Sequence, residues 1–348
     1  SMREVARSSF QGDLTNPNFQ KYIDNSIADG RLERAKEKLK KDFEAKRIDK
    51  ASYESQLSKI DTQMDLNLQA RKNLLEAAEV ERSGKELKEI KDYQEAGFDI
   101  REMKDAEMQK FMKDNGGNFS ATGFGYQGVI DGKSIALVNT DATAREGVGG
   151  TAVHEIWHHP FERRLGNEAM AQKIESLMKD ENLTKEQAAA KVDKEARDYL
   201  DNFVGALKDK GILSMVSAEM AKRPGFRDGV LEQIISGKEV PLSELKEFLN
   251  EFIQLNENGA FNNLKSEAQR KASEKQSTKD LTEKEYQEAL NNPAKFVDFV
   301  LNGKYNSKNI NEFLKREADE LGSESKTTDL QASERTNDIN DLALAYES

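Results

Sequence analysis

The chain contains no cysteine. Disulfides, thiolate metal sites and cysteine nucleophiles are therefore excluded together. Histidine is nearly absent too: there are three in 348 residues, and all of them lie between positions 154 and 159. No apolar run approaches the roughly 20 residues that a membrane-spanning helix needs, so no membrane role is expected. The opening residues hold no apolar leader of the secretory kind. Basic excess is lacking as well, since 53 Lys and Arg face 64 Asp and Glu, for a net charge of -11. A nucleic-acid partner is not expected from that balance. Only five prolines occur, and only 36% of residues are hydrophobic against 34% charged. Such a composition reads as a compact part joined to long solvated helices, in a soluble, bacterial or phage-like protein or a fragment of a larger secreted or virion-associated one.

What is present falls into three segments. Residues 1–114 read as a helical arm, a hairpin or coiled coil behind an irregular lead-in at 1–30. From 31 to 112 the chain has no proline and is rich in Glu, Lys, Leu and Ala, all strong helix formers except in special contexts. Leu57, Ile60, Met64, Leu68 and Leu75 share a helical stripe. Asp49 reads as the N-cap of a second helix. This arm would serve a helical partner or self-association. Residues 115–321 read as a compact domain, mostly helical after 151. Residues 322–348 read as a polar, disordered tail. The expected fold class is mainly α with a small β element, an α+β arrangement.

The β element is expected in the glycine-rich stretch that follows Asn115-Gly116-Gly117-Asn118. Short β-like runs at Phe124–Ile130 and Ile135–Asn139 flank Asp131-Gly132-Lys133, a tight-turn signal. Gly123-Phe124-Gly125-Tyr126-Gln127-Gly128 has the spacing of a dinucleotide fingerprint, but no βαβ pattern surrounds it, so it reads as part of a hairpin. Gly147-Val148-Gly149-Gly150 then leads into a helix opened by Thr151, which Pro160 is expected to end or kink. Further on, Thr184 with Gln187 and Thr282 with Glu285 form capping boxes, Gly211 reads as a helix C-terminus, and Ser243 opens another helix.

The three histidines sit in the helix after the glycine loop, as His154-Glu155-Ile156-Trp157-His158-His159. His154 and His158 are four apart and so share one helical face. Two neutral imidazoles suit Zn²⁺. Glu155, rotated about 100° from His154, can reach a metal-bound water without ligating the metal. This HExxH spacing assigns His154 and His158 as metal ligands and Glu155 as general base. His159 reads as a supporting residue, and Trp157, the only tryptophan, as core. Tyr126 and Tyr199 are the tyrosines available to stabilise an oxyanion.

The stretch from Val138-Asn139-Thr140 through Gly149-Gly150-Thr151-Ala152-Val153-His154-Glu155-Ile156-Trp157-His158 resembles the zincin metallopeptidases. The resemblance spans about residues 120–160. It implies a zinc endopeptidase acting on a protein or peptide. It also implies that Ile135, Ala136, Leu137, Val138 and Asn139 form an edge strand that pairs with extended substrate. The HExxHxxGxxH subgroup is excluded, because Phe161 and Arg164 stand at its Gly and third His positions. With no cysteine, the third ligand should be a distant Glu or Asp, which makes the site gluzincin-like or aspzincin-like. Glu251, within Asn250-Glu251-Phe252-Ile253-Gln254, is the leading candidate and Glu219 the alternative. Glu168 and Glu175 lie too near if Pro160 turns the chain. Two competing readings share these residues: a helical scaffold or virion protein with a vestigial motif, and a zinc amidase acting on peptidoglycan.

Overall fold

A computed structural model describes residues 1–121, 123–221, 236, 242–274, 280–325 and 329–332. The chain divides into two compact units, Ser1–Gly84 and Lys85–Ser348.

The first unit begins with α1 (Met2–Ser9) and α2 (Pro17–Glu44), followed by the first part of α3 (Lys50–Glu95). The lead-in expected to be irregular is thus helical. Ser1 and Glu4 cap α1 reciprocally, and Pro17 enters α2 at its first turn behind an Asn16 cap, where a missing N–H costs nothing. The Asp49 carboxylate accepts from the Ser52 amide at 2.7 Å, as expected for a cap. α2 and α3 run antiparallel, with Phe43 stacked on Tyr53 at one end (4.4 Å between centroids) and Tyr22 packed near Ala78 at the other. The apolar stripe on α3 is interrupted. Leu68 is 45% exposed, while Asn67 and Arg71 are buried against Asp29. A buried ion pair adds little net stability over an apolar contact, but removing one partner is costly. The trio is consistent with a device that selects one register for the hairpin.

The second unit takes in the end of α3 together with β1 (Ile100–Met103) and α4 (Asp105–Asp114). Its boundary therefore lies at 84/85, not at 114, because β1 is hydrogen-bonded into the sheet. β2 (Gly125–Ile130) and β3 (Lys133–Asn139) follow, then α5 (Thr140–Glu146), α6 (Thr151–Leu165), α7 (Asn167–Asp180), α8 (Lys185–Asp209) and α9 (Leu213–Met220). Among the described residues the remaining α-helices and strand are α10 (Leu242–Glu257), α11 (Glu267–Glu274), α12 (Glu283–Asn291), α13 (Pro293–Leu301), α14 (Ile310–Glu324) and β4 (Asp329–Ala332). The mainly helical fold with a small sheet agrees with the composition. The tail expected to be disordered instead continues α14 through Glu324 and contributes β4; its positions 326–328 and 333–348 lie outside the described residues. None of the described helices is long and apolar enough to cross a membrane.

The sheet has the order β1-β3-β2-β4. β2 and β3 pair antiparallel with Ile130 opposite Lys133, so Asp131-Gly132 is a two-residue turn. Both turn residues have positive φ, 50° and 74°, the type I′ geometry that suits the twist of a hairpin. β1 joins β3 in parallel, Ile100 opposite Ala136 through Met103 opposite Asn139. The strand expected at the sheet edge, Ile135–Asn139, is therefore interior, flanked on both sides. Only long-range pairing could reveal this, because β1 reaches the sheet from the far side of α4.

Side chains alternate across the strands. Ile135, Leu137 and Tyr126 pack with Met108 and Met112 of α4. Ala136 and Val138 join the main core with Ala152, Val153, Ile156 and Trp157 of α6. Trp157 is fully buried, its ring near Phe299 (5.7 Å) and Phe161 (6.3 Å). This packing carries α6 on through Pro160 to Leu165, five residues past the expected break. The proline forfeits one backbone bond, which the burial of Trp157 and Phe161 offsets. The capping boxes at Thr184 and Thr282 form as expected, and Gly211, at φ 70°, follows the end of α8.

Candidate metal centre

The centre is assembled from α6 and α10. The loop into α6 is fixed first. Gly150 adopts φ 69° as the N-cap residue and has no side chain to accept from the helix amides. Glu86 of α3 does so instead, accepting from Ala152 N at 2.6 Å and Thr151 N at 3.1 Å. The preceding Gly149 carbonyl accepts from Gln254 Nε2 on α10 at 2.6 Å and from Asn258 Nδ2, just past the end of α10, at 2.9 Å. A Cβ on Gly150 would press on Asn258 and Gln254, and its positive φ also favours glycine.

Glu247, Glu251, Gln254 and Asn258 follow the i, i+4, i+7, i+11 spacing of a single helical face. That face of α10 therefore meets α6 twice, at its glycine loop and at its histidines. Glu247 Oε1 lies 3.1 Å from His158 Nε2. Glu247 Oε2 lies 3.3 Å from His154 Nε2. Donor atoms of His154, His158 and Glu247 all fall within 4.8 Å of one another. Donors about 2.0–2.1 Å from a tetrahedral zinc stand roughly 3.3 Å apart, so two imidazole nitrogens and one carboxylate in this arrangement could hold a metal ion. Three protein ligands also leave one position for water or substrate.

The carboxylate grouped with the two histidines is thus Glu247, one helical turn before the expected Glu251. Glu251 Oε2 stands 3.9 Å from His154 Nδ1, on the side of that imidazole facing away from the cluster. At that distance, longer than a hydrogen bond, the carboxylate acts on the ring through its charge. Glu219 is half-buried on α9 and outside the cluster, and Glu168 and Glu175 are exposed on α7. One signal in the sequence could have found Glu247: Glu247 and Glu251 repeat, on one helix, the four-residue spacing of His154 and His158.

His154 is 4%, His158 3% and the neighbouring Glu155 1% exposed, while Glu247 is partly buried. Burial opposes charge on His158, yet the Glu247 carboxylate outweighs it and holds the imidazole above its ordinary value. Burial would likewise raise Glu247, but the two imidazoles hold it well below the usual carboxylate range. The three groups together thus favour one positive charge between them, which a proton or a cation can supply. His159 is stacked on Phe98 (6.5 Å) and pushed down to about 3, by burial first and by neighbouring His158 second, so it is neutral. Lys246, beside Glu247, pairs with Glu162, one turn beyond His158, and so ties α10 to α6 again.

Glu155 lies under the first residue of β2. A Cβ on Gly125 would overlap the Glu155 carboxylate. Gly125→Ala is therefore expected to cost about 1–3 kcal/mol, the range for overpacking. Urea unfolding of Gly125→Ala, Glu155→Ala and the double variant checks this. A coupling near zero in that cycle would mean the two residues do not touch. The two tyrosines considered for an oxyanion role lie elsewhere. The Tyr126 hydroxyl bonds Ser120 on the α4 side of the sheet, and the Tyr199 hydroxyl donates to the Leu290 carbonyl at 3.2 Å.

The carboxylate that caps α6 carries a pH dependence. Burial pushes Glu86 up to about 7, against the backbone donors that favour its charge; Lys85, Glu89, Glu257 and Tyr93 form its charged and titratable surroundings. Its folded value lies above the unfolded one near 4.5, so the folded state holds this proton more tightly. The stabilisation is complete below about pH 4.5 and is lost as pH rises to about 7, by about 3 kcal/mol at the usual 1.36 kcal/mol per unit. Glu86→Gln is expected to flatten that window. Urea midpoints of both proteins at pH 5 and pH 8 decide it: equal pH responses would refute the assignment.

No family model matches the chain, and neither a curated protein nor a solved structure matches it.

Proposed function

We propose that this chain is a zinc-dependent metallopeptidase. The observation that carries the reading is the convergence of His154, His158 and Glu247, with the Glu155 carboxylate near enough to favour charge on His158. Bound there, zinc would supply a Lewis acid that acidifies water and polarises a peptide carbonyl. His154 and His158 would bind through Nε2, with the charge of Glu251 acting on His154 from the Nδ1 side. Glu155 would take a proton from the attacking water on its carboxylate and pass it to the departing amine. Its burial under β2 keeps bulk water from competing for that proton. Gln254, Asn258 and Glu86 hold the start of α6, so the ligand positions are set before any ligand arrives.

A second reading rests on the same burial. Two histidines so enclosed also suit a structural metal that pins α6 to α10 inside a helical scaffold. Zinc content by elemental analysis, together with mass-spectrometric detection of new termini in an unfolded casein, separates the two. One zinc per chain with cleavage supports the peptidase. One zinc without cleavage supports the structural site. Failure to retain zinc after equimolar addition removes both.

A further inference from the structure

The sheet carries a feature that the metal cluster does not use. The outer edge of β2 is paired with β4, an antiparallel strand contributed by residues 329–332. Pairing runs from Val129 opposite Asp329 to Tyr126 opposite Ala332. A strand edge that accepts an extended segment through main-chain bonds is the physical form of β-augmentation, in which the backbone supplies affinity with little demand on sequence. The next residue of β2 past Tyr126 is Gly125, and Gly125 is the residue whose backbone lies against the Glu155 carboxylate. β4 therefore runs along β2 in the direction that brings its C-terminal end, Ala332, to the Glu155 end of the strand.

The fold delivers this segment from within the same chain. The end of α14 is seated on the β2–β3 turn: Ser134 Oγ donates to the Ala318 carbonyl, and Gly322 approaches the Gly132 carbonyl and the Ser134 amide so closely that a Cβ there would clash. α14 thus releases the chain at the turn end of β2. β4 begins at that end, opposite Val129, and returns along the strand toward Gly125.

We propose that the outer edge of β2 is the peptide-binding edge of this site, and that the chain's own segment 329–332 occupies it as a substrate in cis, for hydrolysis within about two residues of Ala332, a residue along a strand spanning about 3.4 Å. This rests on the peptidase reading above. In the step, the oxygen of water bonds to the carbonyl carbon and the C–N bond breaks. Both protons of the water end on the departing amine, which leaves as an ammonium group, and a new carboxylate ends the shortened chain; nothing is oxidised or reduced.

The test uses the full chain, stripped of metal and then given one equivalent of zinc, and follows its intact mass over time beside Glu155→Gln. The expected result is loss of roughly sixteen C-terminal residues from the unaltered chain, which ends at position 348, and none from Glu155→Gln. The rate should not change over a tenfold dilution; a rate proportional to concentration would overturn cleavage in cis. Independently of activity, the metal-free Gln331→Pro variant should lose hydrogen-exchange protection at the amides of Gln127 and Val129, the two that face β4 while those of Tyr126 and Gly128 face β3, because proline cannot donate to the ladder. Unchanged protection would overturn the seating of β4. A chain that retains zinc and cleaves casein, yet keeps its full mass, overturns this inference and leaves the peptidase reading standing. A chain that cleaves neither overturns both.

Discussion

Glu247→Ala is expected to weaken zinc binding by on the order of 10³-fold, taking about a third of a site worth 10–16 kcal/mol. Glu219→Ala should leave zinc binding unchanged, and Glu251→Gln should weaken it by about 10–100-fold, the range for a group that acts on a ligand without touching the metal. The order follows from geometry. Glu247 places one oxygen 3.1 Å from His158 and the other 3.3 Å from His154, whereas Glu251 reaches only the far nitrogen of His154, at 3.9 Å. Competition with a chromogenic chelator at one pH reads all three affinities. Should Glu251→Gln lose zinc more completely than Glu247→Ala, the ligand assignment would have to move one helical turn along α10.

Glu155→Gln should lower peptide hydrolysis by about 10²–10⁴-fold, the usual contribution of a positioned general base, while zinc content stays at one per chain. The substitution keeps the shape of a side chain that is 1% exposed and packed under Gly125, so a folding defect is not expected to confuse the result. It removes only the site that accepts and returns the proton. Initial rates on casein, with zinc measured on the same samples, decide the matter. A rate within about threefold of the unaltered protein would assign the proton transfer to another group, far outside that expected range.

The helical parts of this protein were legible because helix formation leaves local traces. The Asp49 cap, the capping boxes at Thr184 and Thr282, and the Asp131-Gly132 turn each depend on residues within a few positions of one another, and all four take the expected form. Expectations failed where distant segments intervened. Pro160 does not end α6, because Trp157 and Phe161 are held in a core drawn from α8, α10, α12 and α13. The strand 135–139 is not an edge, because β1 arrives from residues 100–103 to pair with it. The segment 329–332 has little to mark it as a strand in isolation, and takes that form against β2.

The sequence alone determined that His154 and His158 share one face with Glu155 beside them, since spacing along one helix is enough to place all three. The choice between Glu247 and Glu251 belonged to the tertiary structure. Both lie on the same face of α10, and they differ by one turn, a slide of about 5.4 Å along α6. Nothing local sets that slide. It is set by Gln254 and Asn258 gripping the Gly149 carbonyl at one end and by Lys246 pairing with Glu162 at the other, contacts that exist only once the two helices have packed.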